Sequence, residues 1–359
     1  MASWNILADG LAQSGKFASM PDPDASLAWA VRAPQVLAEI GSLSADVVCL
    51  QECNHWHDTL APALCLGGPF AGVHTVAGEA AERLGGDADG EALLVRRDRL
   101  ELLSARVVRF AAGQTHRGIV AVARDRAASR RGGDVLWVLC TSHFKAKEGE
   151  AEARTRQAQI SALLSHADAA AATVRVSGAR LGGVVVVGDM NEAPGDSAGV
   201  EAGAAVPRAL SEPEGGGAGA ARAAADVVAG GLSAAAAGAA PPMGARGVYA
   251  TAHAWPGLRL RSAHAAVGAD GATAAVEEGV TTFKSRTAEV GAEGGAGAPV
   301  AKARVIDFVW AGAGARCTHV LRLPDPAVAG ELGLPTAAFP SDHVPVLAVL
   351  TPAAPVAAE

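Results

Sequence analysis

The sequence predicts an α/β protein, on three observations. Over roughly the first 195 residues, apolar runs of strand length alternate with stretches of helical pattern. The polar residues that stand out sit at or beside the ends of those runs. Strand-like segments also occur near the far end of the chain, beyond an interrupted middle. That distribution argues for one domain, residues 1–352, carrying insertions rather than for two domains.

In order, the strand candidates are Ser3–Leu7, Asp46–Gln51, Ala92–Arg96, Leu102–Phe110, Ile119–Arg124, Val135–Ser142 and Val184–Gly188, short apolar runs bounded by turn residues. Helices are expected over Ser26–Leu43, His55–Leu66 and Glu150–His166. The last has charged residues on one side and Ile160, Leu163 and Leu164 on the other. From about residue 196 to 276 the chain turns Ala/Gly-rich (GAGAARAAADVVAGGLSAAAAGAAPPMGA). So few large apolar groups cannot build a core, so a tolerated low-complexity insertion is expected, with local order around Ala198–Leu210 and Val248–Ala254. A lid over substrate is the functional alternative. Order returns at Thr281–Arg286, breaks across a second insertion at about 287–301, resumes over Arg304–Ala311 and closes with a strand, His343–Thr351, before a disordered tail, 353–359.

Of the 359 residues, 30 are Lys or Arg and 37 Asp or Glu, a net charge of −7 that disfavours a general polyanion-binding surface but leaves room for a local basic groove. The five cysteines, Cys49, Cys53, Cys65, Cys140 and Cys317, show no paired spacing, so neither a disulfide framework nor a zinc site is expected, and a reducing compartment is. No run approaches a membrane span, and MASWNILADG lacks the basic-then-apolar order of a signal peptide. A cytoplasmic monomer is the resulting expectation; organelle targeting would require a longer natural N-terminus.

The chemistry gathers at strand ends. Asp46–Gln51 runs into Glu52, and Leu136–Ser142 into His143. Gly183–Gly188 runs into Asp189 and Asn191, Asp307 stands inside Val305–Trp310, and Asp342 and His343 open the last strand. Strand ends are rigid anchors feeding loops, where α/β proteins collect ligands. The residue types suit metal-assisted attack on a phosphate. Mg²⁺ takes oxygen ligands, commonly one or two carboxylates with water and substrate phosphate, and Glu52 and Asp342 can supply them. Asn5 and Asn191 can orient carboxylates or donate to phosphate oxygens without adding charge, and Asp307 with His343 can form a tuned acid–base pair. Singly each residue reads as an ordinary strand-edge or turn residue; together, in this order, they do not.

Trp4-Asn5-Ile6-Leu7-Ala8, Leu50-Gln51-Glu52, Gly188-Asp189-Met190-Asn191, Ile306-Asp307-Phe308-Val309 and Pro340-Ser341-Asp342-His343 resemble the successive motifs of the endonuclease/exonuclease/phosphatase superfamily. Within it the chain resembles the branch containing nocturnin and the carbon catabolite repressor deadenylases. His143-Phe144-Lys145-Ala146-Lys147 and Thr281-Thr282-Phe283-Lys284 bring it nearer to nocturnin. The resemblance implies a four-layer α/β/β/α sandwich of two mixed sheets, deoxyribonuclease-I-like, with the site at one rim. It implies Glu52 as principal Mg²⁺ ligand (Mn²⁺ able to substitute), with Asn5 and Asp342 close to the metal. Asp189 would activate water, Asn191 and His143 would hold the phosphate, and His343, paired with Asp307, would polarise or protonate a phosphate oxygen. Lys145, Lys147 and Lys284 would bind substrate.

Two departures fall on groups that grip extra phosphates. The lysine such enzymes carry after the helix that follows the glutamate is missing from FAGVHTVAGE, where His74 is the sole basic residue. Lys147 replaces an arginine, keeping charge but losing a bidentate fork. The leading expectation is therefore a Mg²⁺-dependent 3′–5′ exoribonuclease acting on RNA 3′ ends, poly(A) among them, with Lys145, Lys147, Arg154 and Arg156 as a basic cluster. The alternative is an NADP(H) 2′-phosphatase. A catalytically inactive RNA-binding scaffold comes third, since every motif residue is present.

Overall fold

The computed structural model describes residues 1–13, 16–17, 20, 22–76, 89–111, 114–130, 132–192, 252–255, 258–263, 280–286, 300–312, 314–324 and 333–352. The order of elements is β1 (Ala2–Asn5), α1 (Pro23–Leu27), α2 (Trp29–Ser42), β2 (Val47–Gln51), β3 (Phe70–Val76), β4 (Gly90–Arg96), β5 (Leu100–Arg109), β6 (Arg117–Asp125), α3 (Arg126–Ser129), β7 (Val135–His143), α4 (Glu150–Val176), β8 (Arg180–Asp189), β9 (Ala252–Trp255), β10 (Leu258–Ser262), β11 (Thr282–Arg286), β12 (Val300–Arg304), β13 (Asp307–Gly312), β14 (Ala315–Val320) and β15 (Val346–Pro352). Among the described residues one sheet runs β14-β15-β1-β2-β4-β3, a second runs β5-β6-β7-β8-β13-β10-β9, and β11 and β12 form a separate hairpin. Both sheets are mixed, with β1–β2 parallel in the first, β7–β8 parallel in the second, and their other pairings antiparallel.

Period-two alternation puts the sheets face to face. Val47, Cys49, Leu93 and Val95 of the first sheet pack on Ile119, Ala121, Leu139, Val185, Val187 and Val309 of the second. Their neighbours Val48, Leu50, Ala92 and Leu94 turn outward onto Val36 and Ile40 of α2 and onto Trp56, Leu60 and Leu64. On the far side, Val120, Val122, Val138, Val184 and Val186 pack on Ile160, Leu163, Leu164 and Ala167 of α4. Strands buried on both faces read as continuous apolar runs, which is why these were visible in the sequence. The four-layer α/β/β/α sandwich is as the motifs implied.

Several boundaries differ from expectation, each for a physical reason. The expected helix over Ser26–Leu43 is two helices, because Ala28 (φ −57°, ψ 133°) is extended. The stretch His55–Leu66 forms two π-helical turns, Trp56–Leu60 and Pro62–Leu66; Pro62 has no N–H with which to continue the first. α4 runs ten residues past His166, since alanine has the highest helix propensity and Ala167, Ala170, Ala171 and Val174 prolong its buried face. β3 and β14 were not anticipated: FAGVHTV and ARCTHV carry too few large apolar residues to stand out. Within the Ala/Gly-rich stretch, β9 and β10 extend the second sheet through β13. Ala198–Leu210, residues 287–299 and the tail 353–359 lie outside the described residues. The five cysteines are free thiols. No helix among the described residues is long and apolar enough to cross a membrane.

Candidate active site

The two sheets bring six strand ends to one rim. On β7, β8 and β13 the register places His143 beside Asp189 and Asp189 beside Asp307, three functional side chains in line across adjacent strands. The antiparallel course of β13 is what puts its first residue, Asp307, at the same edge as the last residue of β8. Gly188 makes the approach of β7 possible: its φ is +146°, and a Cβ there would lie 1.9 Å from the Ser142 carbonyl oxygen. On the facing sheet, Asn5 at the end of β1 pairs in register with Gln51, one residue before Glu52.

Asn5 ties the sheets together. Its Nδ2 donates to Glu52 Oε1 at 2.9 Å and to Asp189 Oδ2 at 3.0 Å, while its Oδ1 accepts from Leu7 N–H at 3.0 Å. Glu52 Oε2 accepts from Ala8 N–H at 2.9 Å, so both carboxylate oxygens are fixed. Across the site, His343 Nδ1 lies 2.9 Å from Asp307 Oδ2, and its Nε2 lies 3.8 Å from Asp189 Oδ2 and 4.0 Å from Asp342 Oδ1. His143 Nε2 reaches Asp189 Oδ2 from the other side at 3.6 Å. Burial pushes the Asp307 carboxyl up, with the neighbouring Asp189 charge adding to it and His343 opposing it. Asn191, at φ +53°, donates its backbone N–H to Asp189 Oδ1 and its Nδ2 to the Phe144 carbonyl.

His343 lies in the segment before β15, which begins at Val346 rather than at His343 as expected, and that segment is held by its surroundings. Trp4 Nε1 donates to the His343 carbonyl at 2.7 Å, Ser341 Oγ to the Asn5 carbonyl at 2.6 Å, and Thr282 Oγ1 to the Asp342 carbonyl at 2.8 Å. Thr281 Oγ1 accepts from the N–H groups of Ile306 and Asp307. These supporting contacts span over 300 residues of sequence in the Trp4 and Ser341 cases, and only the motif positions of Trp4, Ser341 and Thr281 hinted at them.

The donor set fits a hard divalent cation. Glu52, Asp189, Asp307 and Asp342 are all buried around one volume, offer oxygen and carry more negative charge than the site's histidines can offset. Ligand atoms of Asp189, Asp307 and His343 lie within 4.8 Å of one another.

The basic residues expected to bind substrate are placed differently from the sequence reading. Arg156 is fully buried: its Nε bonds Glu192 Oε2 at 2.8 Å and its Nη1 donates to the carbonyls of Lys145 and Lys147. Arg154 pairs with Glu150 one turn away. The expected basic cluster is therefore reduced to Lys145 and Lys147, on a loop that Arg156 braces from below. Lys147 adopts φ +82°. Lys284 lies in β11, in register with Lys302 of β12. His74 does not replace the missing lysine as a cation, because burial holds its pKa down to about 4, with Nε2 2.9 Å from the Cys53 carbonyl and its ring stacked on Trp56. His55 caps the turn after Glu52 and His57 lies within it, and His55 pairs with Asp9 and Asp58.

Sequence reading missed three groups beside the site. His116 meets His143 edge-on at 5.2 Å, and burial with the neighbouring His143 and Lys145 charges pushes its pKa down to about 3. Glu91 is buried, and desolvation together with Asp89 raises its carboxyl well above the usual range. Arg32 is buried with Asp9, Asp342 and Glu52 as its charged neighbours. None had a distinguishing local pattern.

A four-layer sandwich with carboxylates, amides and a carboxylate-held histidine at one rim defines a phosphoesterase-type site. The family model of the endonuclease/exonuclease/phosphatase family matches residues 2–343, and the chain belongs to that family. Nocturnin of Xenopus laevis is 30% identical over 199 residues, 53% of this chain and 47% of that protein. Human nocturnin is 31% identical over 162 residues, 43% of this chain and 36% of that protein. The matches thus span about half, or less, of the relatives' length. Among solved structures, ANGEL2, described as a 2′,3′-cyclic phosphatase, superimposes with a TM-score of 0.65 at 20% identity, covering 98% of this chain and 94% of that one. The human nocturnin catalytic domain with bound sulfate gives 0.56 at 18%, again covering 98% and 94%.

Proposed function

We propose that the chain is a Mg²⁺-dependent phosphoester hydrolase that acts at the 3′ end of RNA. The observation that carries the hydrolase reading is the single Asn5 amide bridging Glu52 and Asp189, with the Asp307–His343 pair closing on the same Asp189 oxygen. Glu52 would hold the metal, with Asp342 and Asn5 beside it; bound there, Mg²⁺ supplies polarisation of a phosphoryl oxygen and charge neutralisation. Mn²⁺ has the same ligand preferences.

Asp189 orients the attacking water and accepts its proton, its carboxylate held by the Asn5 amide and the Asn191 N–H. Asp307 accepts the His343 Nδ1–H and would stabilise the imidazolium, so that an Nε2–H is directed at the reacting phosphate, where it polarises an oxygen. His143 contacts the phosphate from the opposite side, and Asn191 holds it against displacement. Lys145, Lys147 and Lys284 supply charge for the substrate's remaining phosphate. In-line displacement is the expected course, with Asp189 at the attacking water and His343 and His143 flanking it.

The internal pairing of Arg154 and Arg156 favours a second reading, NADP(H) 2′-phosphatase, because a small substrate needs no extended basic track. Incubating the full chain with Mg²⁺ and, separately, oligo(A), NADP⁺ and NADPH decides between them. Shortening of oligo(A) is expected; phosphate release from NADP(H) without shortening sinks the exoribonuclease reading. Glu52→Ala is expected to abolish turnover on every substrate, and retained activity refutes the metal assignment.

A further inference from the structure

Arg32 lies on α2, outside every motif read from the sequence, and its side chain is fully buried. Burying a guanidinium carries a desolvation penalty that its contacts must offset. Those contacts concentrate on one turn: Nη2 donates to the carbonyl of Ile6 at 3.2 Å and to that of Leu7. The guanidinium also sits over the Trp29 ring at 5.5 Å, whereas Nε and Nη1 make no hydrogen bond among the described residues.

The turn it grips, Ile6–Ala8, is the one that dresses Glu52. Ile6 N–H donates to the Gln51 carbonyl, Leu7 N–H to Asn5 Oδ1 and Ala8 N–H to Glu52 Oε2. Leu7 has φ +61°, a left-handed conformation that a branched side chain adopts only under strain. Such strain persists only where the surroundings over-determine it. Here the amide of Leu7 is fixed by Asn5 and its carbonyl by Arg32.

We propose that Arg32 is a positioning residue for the metal centre: by clamping the Ile6 and Leu7 carbonyls it holds the strained turn that presents the Asn5 amide and the Ala8 N–H to Glu52. This rests on the reading of Glu52 as the metal ligand. Charge and geometry act in opposite directions here. A buried cation near Glu52 repels a second one, so deleting the charge tightens metal binding while losing the clamp loosens it. Arg32→Lys separates the two, since lysine keeps the charge but its shorter side chain ends in an ammonium that falls short of the Nη2 position from which both carbonyls are held.

The test is Mn²⁺ binding to the full chain without substrate, read from the free-ion paramagnetic resonance signal, with urea denaturation alongside. R32K is expected to weaken Mn²⁺ affinity about 10-fold or more, the scale of a lost orienting contact, while the protein stays folded. R32K that binds Mn²⁺ as tightly as the wild type overturns the proposal. So does R32K that loses its fold, which makes the arginine structural. Glu52→Gln is the separate control: if it leaves Mn²⁺ affinity unchanged, the metal reading itself fails, whereas a loss there with none in R32K defeats only the clamp.

Discussion

Replacing Glu192 by alanine tests how the loop bearing Lys145 and Lys147 is built. Arg156 and Glu192 are 1% and 0% exposed with Nε and Oε2 2.8 Å apart. At an effective dielectric near 20 the gross attraction at that distance is about 6 kcal/mol, most of it set against the cost of desolvating both ions. Removing the acid alone leaves an uncompensated buried guanidinium, so the expected loss of stability is about 3–5 kcal/mol. Because Arg156 Nη1 also holds the Lys145 and Lys147 carbonyls, the variant is expected to raise KM more than it lowers kcat. Urea denaturation reads the stability change as a lower midpoint at unchanged slope. The double variant Arg156→Met, Glu192→Leu removes the stranded charge and is expected to recover about half of the loss. A single variant within about 1 kcal/mol of wild type, or a double variant less stable than the single, refutes the reasoning.

Asp307→Asn preserves shape but not charge, so His343 loses its tautomer anchor; kcat is expected to fall about 100-fold or more with the Mg²⁺ requirement unchanged, measured by steady-state kinetics. Gly188→Ala combines a left-handed φ with a Cβ 1.9 Å from the Ser142 carbonyl. It is expected to cost about 2–4 kcal/mol by denaturation, and to displace Asp189 from His143 so that any folded fraction is inactive. Burial holds the His166 pKa down to about 4 against 6.5 in the free side chain, so the unfolded chain takes up the proton first as pH falls. Stability is then complete above about pH 6.5 and falls by roughly 3 kcal/mol towards pH 4. His166→Gln is expected to remove that slope; denaturation midpoints at pH 7.5, 5.5 and 4.5 that keep it would show the slope arises elsewhere.

The strands that form the two-sided core were legible because burial on both faces demands uninterrupted apolar runs, as in Val184–Val187. The edge strands β3 and β14 were not, because one exposed face relaxes that demand and leaves mixed composition. At the candidate site, the residues proposed for chemistry stood in short recognisable motifs, whereas Arg32, Glu91 and His116 stood in ordinary helix, strand and loop sequence.

By itself the sequence placed the carboxylates, amides and histidines at the ends of apolar strands, because burial on both faces marks the strands and the polar groups stand where they stop; the motif resemblance then implied the family and the layer architecture. Only the tertiary structure decided which charges are free to act. Arg154, Arg156 and His74 read as candidate phosphate-binding groups on one line of text. Folding commits the first two to Glu150 and Glu192 and holds the third neutral by burial. Composition counts charges, but their availability depends on distances between residues far apart in the chain and on the water that burial removes.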